Sequence, residues 1–306
     1  MKQMENMENK DKETLQIIKK TIYSKGFDSL INKNNISKSK RSSVIGIGGS
    51  HIYFSLLEGL TIVKSYKESI DFKDKENFFE NIIYLYKNKD FQSSNTSVIF
   101  SYPFLPYKKG DLIDGKYMKN TKITKVLPFA DETFTLSEKL NHNFNILNDA
   151  VAVNLYNLYK NKDYDIHIAA IAGTGVNISY TKNNEILNSE FGNIKIPESM
   201  NMEDILKIYK DATFEKVITE HSLKKTARLH KIDLDYLKKI SAKIFALAIL
   251  SFIEDTKSAS ILFQGSFICK DKKYRDHVVR IIHKYYKGKL HINYNNLSDI
   301  KGASLI

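Results

Sequence analysis

The apolar positions of the chain fall into short runs, and two groups of these runs follow the same plan. One group spans Val44–Ser65, and the other consists of Ile166–Ala172, Val176–Thr181 and Glu185–Leu187. Each group begins with an apolar run of strand length, passes through a glycine-containing turn, and continues into two further strand-length runs. Two copies of one unit, each followed by helical segments, predict an internally duplicated α/β protein.

Other segments show the spacing of amphipathic helices or isolated strands. Further helices are predicted over Glu13–Lys25, Asp74–Lys89, Leu136–Asn141, Ala150–Lys160, Met202–Tyr209, Phe214–Glu220, Leu223–Leu229, Leu234–Asp255, Asp271–Lys287 and Ser298–Ile306. Further strands are predicted over Ser97–Ser101, Phe144–Leu147, Ile261–Phe263 and Leu290–Ile292. The segment from Phe104 to Lys125 has no clear period, so it is expected to form loops.

The composition is that of a folded protein, because 42% of its 306 residues are hydrophobic and a substantial core can form. The net charge of +12 admits binding to nucleic acid or to a membrane surface. However, lysine, asparagine and isoleucine are abundant throughout and the lysines are scattered, which favours a compositional origin of the charge. A positive field would still help to attract an anionic nucleotide.

Targeting and redox features indicate a reducing compartment, and we expect a cytoplasmic protein without membrane partners. Met1–Lys12 is polar and charged, without the apolar core of a secretory signal, and no window reaches the roughly 18 apolar residues of a membrane helix. Cys269 is the only cysteine, which excludes a disulfide framework and a cysteine-rich zinc site. One helix before residue 43 is too little for a helix-turn-helix, so no nucleic-acid partner is expected.

Three groups suited to phosphoryl transfer follow one another along a single stretch. Asp149 comes after a predicted strand and opens a helix, where α/β folds place ligand sites. The turn Gly173–Gly175 lets backbone N–H groups approach an anion, and Glu190 lies in the loop beyond it. Taken alone, Asp149 is more simply explained as a helix N-cap, and Glu190 is more simply explained as a solvated surface acid. Together with the turn, they predict a phosphoryl-transfer site.

Eight short motifs resemble, in order and approximate spacing over residues 44–306, those of the hexokinase family within the actin-like ATPase and sugar-kinase superfamily. They are Ile45–Ser50 (family Asp-x-Gly-Gly-Thr), Phe100–Pro103 (Phe-Ser-Phe-Pro), Asn148-Asp149 (Asn-Asp), Gly173–Asn177 (Gly-Thr-Gly-Thr-Asn), Asn188–Gly192 (Asn-Thr-Glu-Trp-Gly), Phe214–Ile218 (Phe-Glu-Lys-Met-Ile), Gly265-Ser266 (adenosine loop) and Gly302–Leu305 (Gly-Ala-Ala-Leu). The bacterial repressor, open-reading-frame and kinase (ROK) sugar kinases are a nearby alternative. Those proteins commonly carry a cysteine-rich zinc motif, which one cysteine cannot supply.

The resemblance implies the duplicated actin-like ATPase (ribonuclease H-like) fold, with two lobes and a cleft for sugar and ATP between them. The implied division is an N-terminal tail over residues 1–42, a small lobe over 43–147 and a large lobe over 148–306, with the terminal helix packing back on the small lobe. The implied activity is transfer of the γ-phosphate of Mg-ATP to the 6-hydroxyl of glucose or a related hexose.

The resemblance also implies roles for individual residues. Asp149 would be the catalytic base, ATP and Mg²⁺ would be required, and no metal ligand is assigned. The residues that would bind the sugar are Ser101, Lys119, Asn148, Asn188, Glu190 and Glu215, with Lys122 competing with Lys119 for its place in the alignment. The residues that would bind the nucleotide are Gly48, Gly49, Ser50, Gly173, Thr174, Gly175, Asn177, Gly265 and Ser266.

The sequence departs from the family mainly on the nucleotide side. Gly46 stands where the family has the first-loop Asp that helps to hold hydrated Mg²⁺, and Leu297–Asp299 stands where the family has Asp-Gly-Ser. Because Mg²⁺ usually takes only one or two protein carboxylates, the loss of one matters. Two hypotheses therefore stay open: an active hexose kinase, or a sugar-binding regulatory protein with weak or no catalysis.

Overall fold

A computed structural model describes most of the chain as two compact units. The described residues are 7–23, 29–32, 36, 39–48, 51–69, 75–100, 104–109, 112–117, 144–183, 185–200, 208–209 and 212–306. Unit 1 comprises Met1–Phe27, Lys160–Asn183 and Leu187–Asn296, and unit 2 comprises Asp28–Tyr159, Asn184–Ile186 and Leu297–Ile306. The predicted helix Leu136–Asn141 and most of Met202–Tyr209 lie outside the described residues.

The helices and strands are numbered here in chain order. The helices are α1 (Asn9–Tyr23), α2 (Lys75–Asn88), α3 (Asp149–Lys160), α4 (Phe214–Ile218), α5 (Glu220–His230), α6 (Leu234–Ile253), α7 (Ser266–Lys270), α8 (Lys272–Tyr285) and α9 (Ser298–Ala303). The strands are β1 (Ser29–Asn32), β2 (Arg41–Ile47), β3 (His51–Glu58), β4 (Thr61–Ser69), β5 (Thr96–Phe100), β6 (Phe104–Lys109), β7 (Leu112–Tyr117), β8 (Phe144–Asn148), β9 (Ile166–Ala172), β10 (Val176–Lys182), β11 (Glu185–Asn188), β12 (Ser258–Gln264) and β13 (Lys289–Tyr294).

Unit 2 contains a five-stranded mixed sheet with the order β4-β3-β2-β5-β8. The strands β2, β5 and β8 run parallel, whereas β3 and β4 form the antiparallel meander that the sequence pattern predicts. Parallel strands end at the same edge of a sheet, so β8 delivers Asn148 and the first residue of α3 to the edge at which β2 also ends, with β5 between the two strands. The segment predicted to form loops instead contains the hairpin β6-β7, and that prediction was wrong.

The core of unit 2 brings α3 and α9 together on one face of this sheet. Its buried members include Val44, Ile99, Val151 and Ile300. The two helices approach so closely at Gly302 that a Cβ added there would overlap the carbonyl oxygen of Ala152. Only glycine fits at this contact, because protein interiors are close-packed and leave no space for a side chain here.

Replacing Gly302 with alanine should therefore lower the free energy of unfolding by about 3 kcal/mol, the upper part of the range for overpacking. Urea denaturation of the purified variant measures this. The same change at Gly175, where the added Cβ would approach nothing closer than 3.5 Å, is the matched control and should cost much less. Equal losses at the two positions would contradict the packing argument.

Unit 1 contains the strands β10, β9, β12 and β13 of the sheet with the order β1-β11-β10-β9-β12-β13. The central strands β9 and β12 run parallel and are buried along their whole length, as expected for strands covered on both faces. The longest helix, α6, supplies much of the core. The two glycine turns of this unit, Gly173–Gly175 and Gly265-Ser266, follow the carboxyl ends of β9 and β12 and therefore lie at one edge of the sheet.

The first helix also belongs to the core of unit 1, and it covers most of the helix predicted over Glu13–Lys25. Helix α1 begins at Asn9 and buries Leu15, Ile18 and Ile22. Its buried Asp11 accepts a hydrogen bond of 2.6 Å from the hydroxyl of Tyr285.

Among the helices that the structure describes, none is long and apolar enough to cross a membrane.

Candidate functional site

The carboxylate of Glu190 is buried in unit 1 and surrounded by asparagine amides. Its Oε1 accepts hydrogen bonds from Nδ2 of Asn188 at 2.8 Å and of Asn177 at 3.3 Å, and its Oε2 accepts one from Nδ2 of Asn193 at 2.8 Å. Only 3% of the Glu190 side chain surface is exposed. A buried carboxylate needs such partners, because removing its charge from water is otherwise costly.

The loop around Glu190 holds this carboxylate in an unusual backbone conformation. Glu190 has φ 45° and ψ 38°, the left-handed region, which a residue other than glycine adopts at a cost. The neighbouring Ser189 donates its N–H and its hydroxyl to the carbonyl oxygen of Ile178, and a Cβ added at Gly192 would overlap the carbonyl oxygen of Val176. These contacts fix the loop against β10 and offset the strain. Strained backbone of this kind is common at ligand sites.

The second predicted sugar acid, Glu215, is brought to the same region by aromatic packing. Phe191 and Phe214 stack with ring centroids 4.4 Å apart, which joins the Glu190 loop to the start of α4. Glu215 lies in the first turn of that helix, and its Oε2 is 3.5 Å from the position that a Cβ on Gly175 would take. The glycine turn therefore lies directly beside the Glu215 carboxylate.

The two predicted nucleotide turns of unit 1 also contact each other. A Cβ on Gly173 would lie 3.2 Å from the backbone nitrogen of Ser266, and Gly265, with φ 112°, is packed against Ala172. Gly173 donates its N–H to the carbonyl oxygen of Gly175 at 2.9 Å, so a phosphate would have to be bound by other groups of the turn. Thr174 and Ser266 are exposed at the tips of the two turns. Such glycine-lined surfaces suit the close approach of a phosphate.

The predicted base, Asp149, opens α3 in unit 2. Asn148, 2% exposed, accepts the N–H of Ala150 at its Oδ1 over 2.9 Å, which is the contact of an N-cap residue. One carboxylate oxygen of Asp149 accepts the same N–H at 2.7 Å. Asn148 and Asp149 therefore both cap the start of α3, which was the simpler explanation for Asp149 alone. The Asp149 side chain stays partly exposed.

A tyrosine packs against the strand that precedes the first glycine turn. Gly48 donates its N–H to the carbonyl oxygen of His51 at 2.9 Å, so this group is used within the hairpin. A Cβ added at Gly46 would overlap the ring of Tyr53, whose hydroxyl donates to Oδ2 of Asp299 at 2.8 Å. Burial, followed by the charge and hydrogen bond of Asp299 and the charge of Asp149, raises the pKa of Tyr53 well above its usual value.

The predicted site residues thus form local groups within each unit. In unit 1 the groups are Asn177 with Asn188 and Glu190, Gly175 with Glu215, and Gly173 with Gly265 and Ser266; in unit 2 the group is Asn148 with Asp149. Ser101, Lys119, Gly49 and Ser50 lie outside the described residues. Across the described part of the chain, no cluster of three or more His, Cys, Asp or Glu side chains could hold a metal ion.

Sequence reasoning missed Asn193, Tyr53 and Asp299. Asn193 could have been noticed because it follows Glu190 by three residues, within one turn of the short 3₁₀ helix. Tyr53 faces Gly46 in the antiparallel register of β2 and β3, which the hairpin pattern makes predictable. Nothing in the local sequence indicates that Asp299 joins them.

Comparison with known proteins identifies the fold of this chain but does not assign the chain to a family. No protein-family model matches the sequence, and no curated protein matches it. A hexokinase from Schistosoma mansoni complexed with glucose superimposes with a TM-score of 0.66 at 13% identity, covering 97% of this chain and 94% of that one. A ROK family glucokinase from Streptomyces griseus in complex with glucose and AMPPNP gives a TM-score of 0.61 at 12% identity, covering 86% of this chain and 98% of that one.

A ROK family transcriptional regulator, a homolog of the E. coli MLC protein, is also similar, with a TM-score of 0.63 at 13% identity over 87% of this chain and 77% of that one. The three structures together confirm the duplicated actin-like α/β fold predicted from the motifs. The same fold serves kinases and a regulator, so activity has to be argued from the site.

Proposed function

We propose that this protein is an ATP-dependent hexose kinase that phosphorylates the 6-hydroxyl of glucose or a related hexose. The observation that carries the proposal is the Glu190 carboxylate, buried among three asparagine amides on a strained loop. The fold supports it, because similar structures include a hexokinase and a glucokinase in complex with glucose.

The sugar-binding part of the proposal follows from the chemistry of these groups. Carboxylates accept hydrogen bonds from hydroxyls, and amides can donate or accept, so Glu190, Glu215 and Asn188 together suit a ligand with many hydroxyls. A site of this kind rejects molecules that lack a hydroxyl, because its buried acceptors would then stay unpaired. Ser101 and Lys119 keep their proposed sugar-binding roles as predictions from the motifs.

The catalytic part assigns the proton transfer to Asp149. Its carboxylate would accept the proton of the 6-hydroxyl as that oxygen attacks phosphorus, the role of a general base. The hydrogen bonds from the Ala150 N–H to Asn148 and Asp149 fix the start of α3 and would hold the carboxylate in place. Positioning of this kind contributes much of the rate of phosphoryl transfer.

The nucleotide part rests on the two glycine turns of unit 1. A Cβ at Gly173 or Gly265 would crowd the neighbouring protein backbone, so the glycines let the two turns pack against each other, and the exposed tips of these turns would meet the phosphate and adenosine groups. Bound ATP supplies the γ-phosphoryl group, and Mg²⁺ would offset the phosphate charge. Gly48, Gly49, Ser50, Thr174, Gly175, Asn177 and Ser266 keep their proposed roles on the nucleotide side.

A second candidate function is sugar binding without catalysis. It is favoured by the Tyr53 ring, which fills the space beside Gly46 where the family has a carboxylate. It also fits the presence of a ROK transcriptional regulator among the similar structures.

A coupled assay for ADP release with glucose and Mg-ATP, run beside calorimetric titration with glucose, separates the two functions. The kinase proposal expects sugar-dependent ADP release together with glucose binding. Glucose binding without turnover would establish the second function and overturn the first. Absence of both, repeated with mannose, fructose and N-acetylated hexoses, would overturn both.

A further inference from the structure

The strand that follows the first glycine turn of unit 1 also carries the loop of the predicted sugar acid. Strand β10 begins at Val176, directly after the turn Gly173–Gly175. Its first three residues each contact one residue of the segment 189–192. These contacts join Val176 to Gly192, Asn177 to Glu190 and Ile178 to Ser189. The turn and the sugar loop are therefore connected through three consecutive residues of one strand.

The side chain of Asn177 is held at both ends of its amide group. Its Oδ1 accepts the N–H of Ile178 at 2.8 Å, and its Nδ2 donates to Oε1 of Glu190 at 3.3 Å. A backbone N–H can only donate, so the amide oxygen has to face Ile178 and the amide nitrogen has to face the carboxylate. Asn177 is 8% exposed and Glu190 is 3% exposed, and burial strengthens a hydrogen bond of this kind. Asn177 belongs to the motif assigned to the nucleotide, yet its amide positions the sugar acid.

The same turn also lies beside the second predicted sugar acid. Oε2 of Glu215 is 3.5 Å from the position that a Cβ on Gly175 would take. A phosphate bound at the turn would therefore be close to this carboxylate, and the two negative charges would repel each other. Sugar hydroxyls that donate to the carboxylate would spread its charge and reduce this repulsion. The charges in this region thus favour phosphate together with sugar over phosphate alone.

We infer that Asn177 couples the phosphate turn to the sugar acids, so that the protein binds hexose more tightly when a nucleotide occupies the turn. Asn177 acts as a positioning residue. It holds Glu190, which contacts the sugar, and its own position is set by the turn that precedes it. The coupling is reciprocal, because each of two linked ligands strengthens the binding of the other by the same factor. The inference rests on the proposed kinase function and names the residue of unit 1 that links its two ligands.

Calorimetric titration of the full-length protein with glucose, with and without saturating Mg-ADP, measures this coupling without turnover. In the wild type, Mg-ADP should lower the dissociation constant of glucose at least about fivefold, the lower end of ordinary coupling between sites. In Asn177→Ala this ratio should fall below about twofold, because the amide that contacts Glu190 is lost. Asn177→Asp keeps the shape and the contact with Ile178 but turns an oxygen toward Oε1 of Glu190, so it should lower the ratio as well.

Asn193→Ala is the matched control. The Asn193 amide donates to Oε2 of Glu190 at 2.8 Å, but it reaches the carboxylate from the 3₁₀ helix Phe191–Asn193 and not from β10. The substitution should weaken glucose binding by the same factor with and without Mg-ADP, so the ratio should keep its wild-type value. If the two amides only stabilised the loop, both variants would lower the glucose affinity and neither would change the ratio.

A wild-type ratio in both Asn177 variants would overturn the inference, and so would an equal loss of the ratio in Asn177→Ala and Asn193→Ala. If the wild type phosphorylates hexose but binds glucose equally well with and without Mg-ADP, the inference alone fails. If the wild type binds no glucose and releases no ADP with any hexose, the inference and the proposed kinase function fail together.

Discussion

Replacing Asp149 with asparagine should lower the kcat of hexose phosphorylation by about 10²- to 10⁴-fold, the usual contribution of a general base. Asparagine has nearly the same shape but cannot accept the proton of the attacking hydroxyl. Its side-chain oxygen can still accept the Ala150 N–H, and Asn148 continues to do so. The helix start and the affinity for glucose should therefore be retained.

The coupled ADP assay and glucose calorimetry measure these two outcomes on the same preparation. Asp163→Asn, at an exposed carboxylate just beyond α3, is the matched control and should have wild-type kcat. Turnover of Asp149→Asn within threefold of the wild type would show that another group accepts the proton.

Glu190→Gln should weaken glucose binding by on the order of 100-fold, because a charged acceptor of hydroxyl hydrogen bonds becomes a neutral amide. The loop should also lose stability. Glu190 Oε1 accepts from Asn188 and Asn177 and Oε2 accepts from Asn193, whereas a glutamine amide offers one acceptor and one donor. Whichever way it is oriented, its NH₂ group faces another NH₂ group, which costs about 1–3 kcal/mol.

Calorimetry with glucose and urea denaturation measure the two effects of Glu190→Gln separately. Glu198→Gln, an exposed acid a few residues further along the chain, provides the control and should change neither quantity. A large loss of stability with unchanged glucose affinity would assign Glu190 a structural role alone. That result would remove the main support for the proposed sugar site.

Much of the candidate site could be predicted from short motifs because its parts are local in sequence. Asn188 and Glu190 are separated by one residue, and the hydrogen bond between them forms within the loop. A glycine turn that follows an apolar strand also predicts where the turn lies. Both turns of unit 1 follow parallel strands, so they lie at the same edge of the sheet and contact each other. The pairing of Phe191 with Phe214 was not predicted, because two distant segments have to pack before these rings meet.

Two differences between the predicted and the observed fold have identifiable causes. The hairpin β6-β7 was missed because its strands lack a clean apolar alternation, although the Gly110-Asp111 dipeptide between them is a recognisable turn signal. Helix α1 begins four residues before the predicted helix Glu13–Lys25, because Asn9–Lys12 is polar and gives no helical signal. Asp11 is nevertheless buried, because α1 packs in the core and the Tyr285 hydroxyl satisfies its carboxylate.

The sequence by itself determined the duplicated order of strands and helices, the glycine turns, and the acids at Asp149, Glu190 and Glu215. These features depend on local periodicity and on residues close together in the chain. Only the tertiary structure decided what fills the place of the carboxylate missing at Gly46. Tyr53 reaches it across a hairpin, and Asp299 joins Tyr53 from 246 residues away. No local pattern encodes such a contact, because it forms only when the last helix packs against the sheet of unit 2.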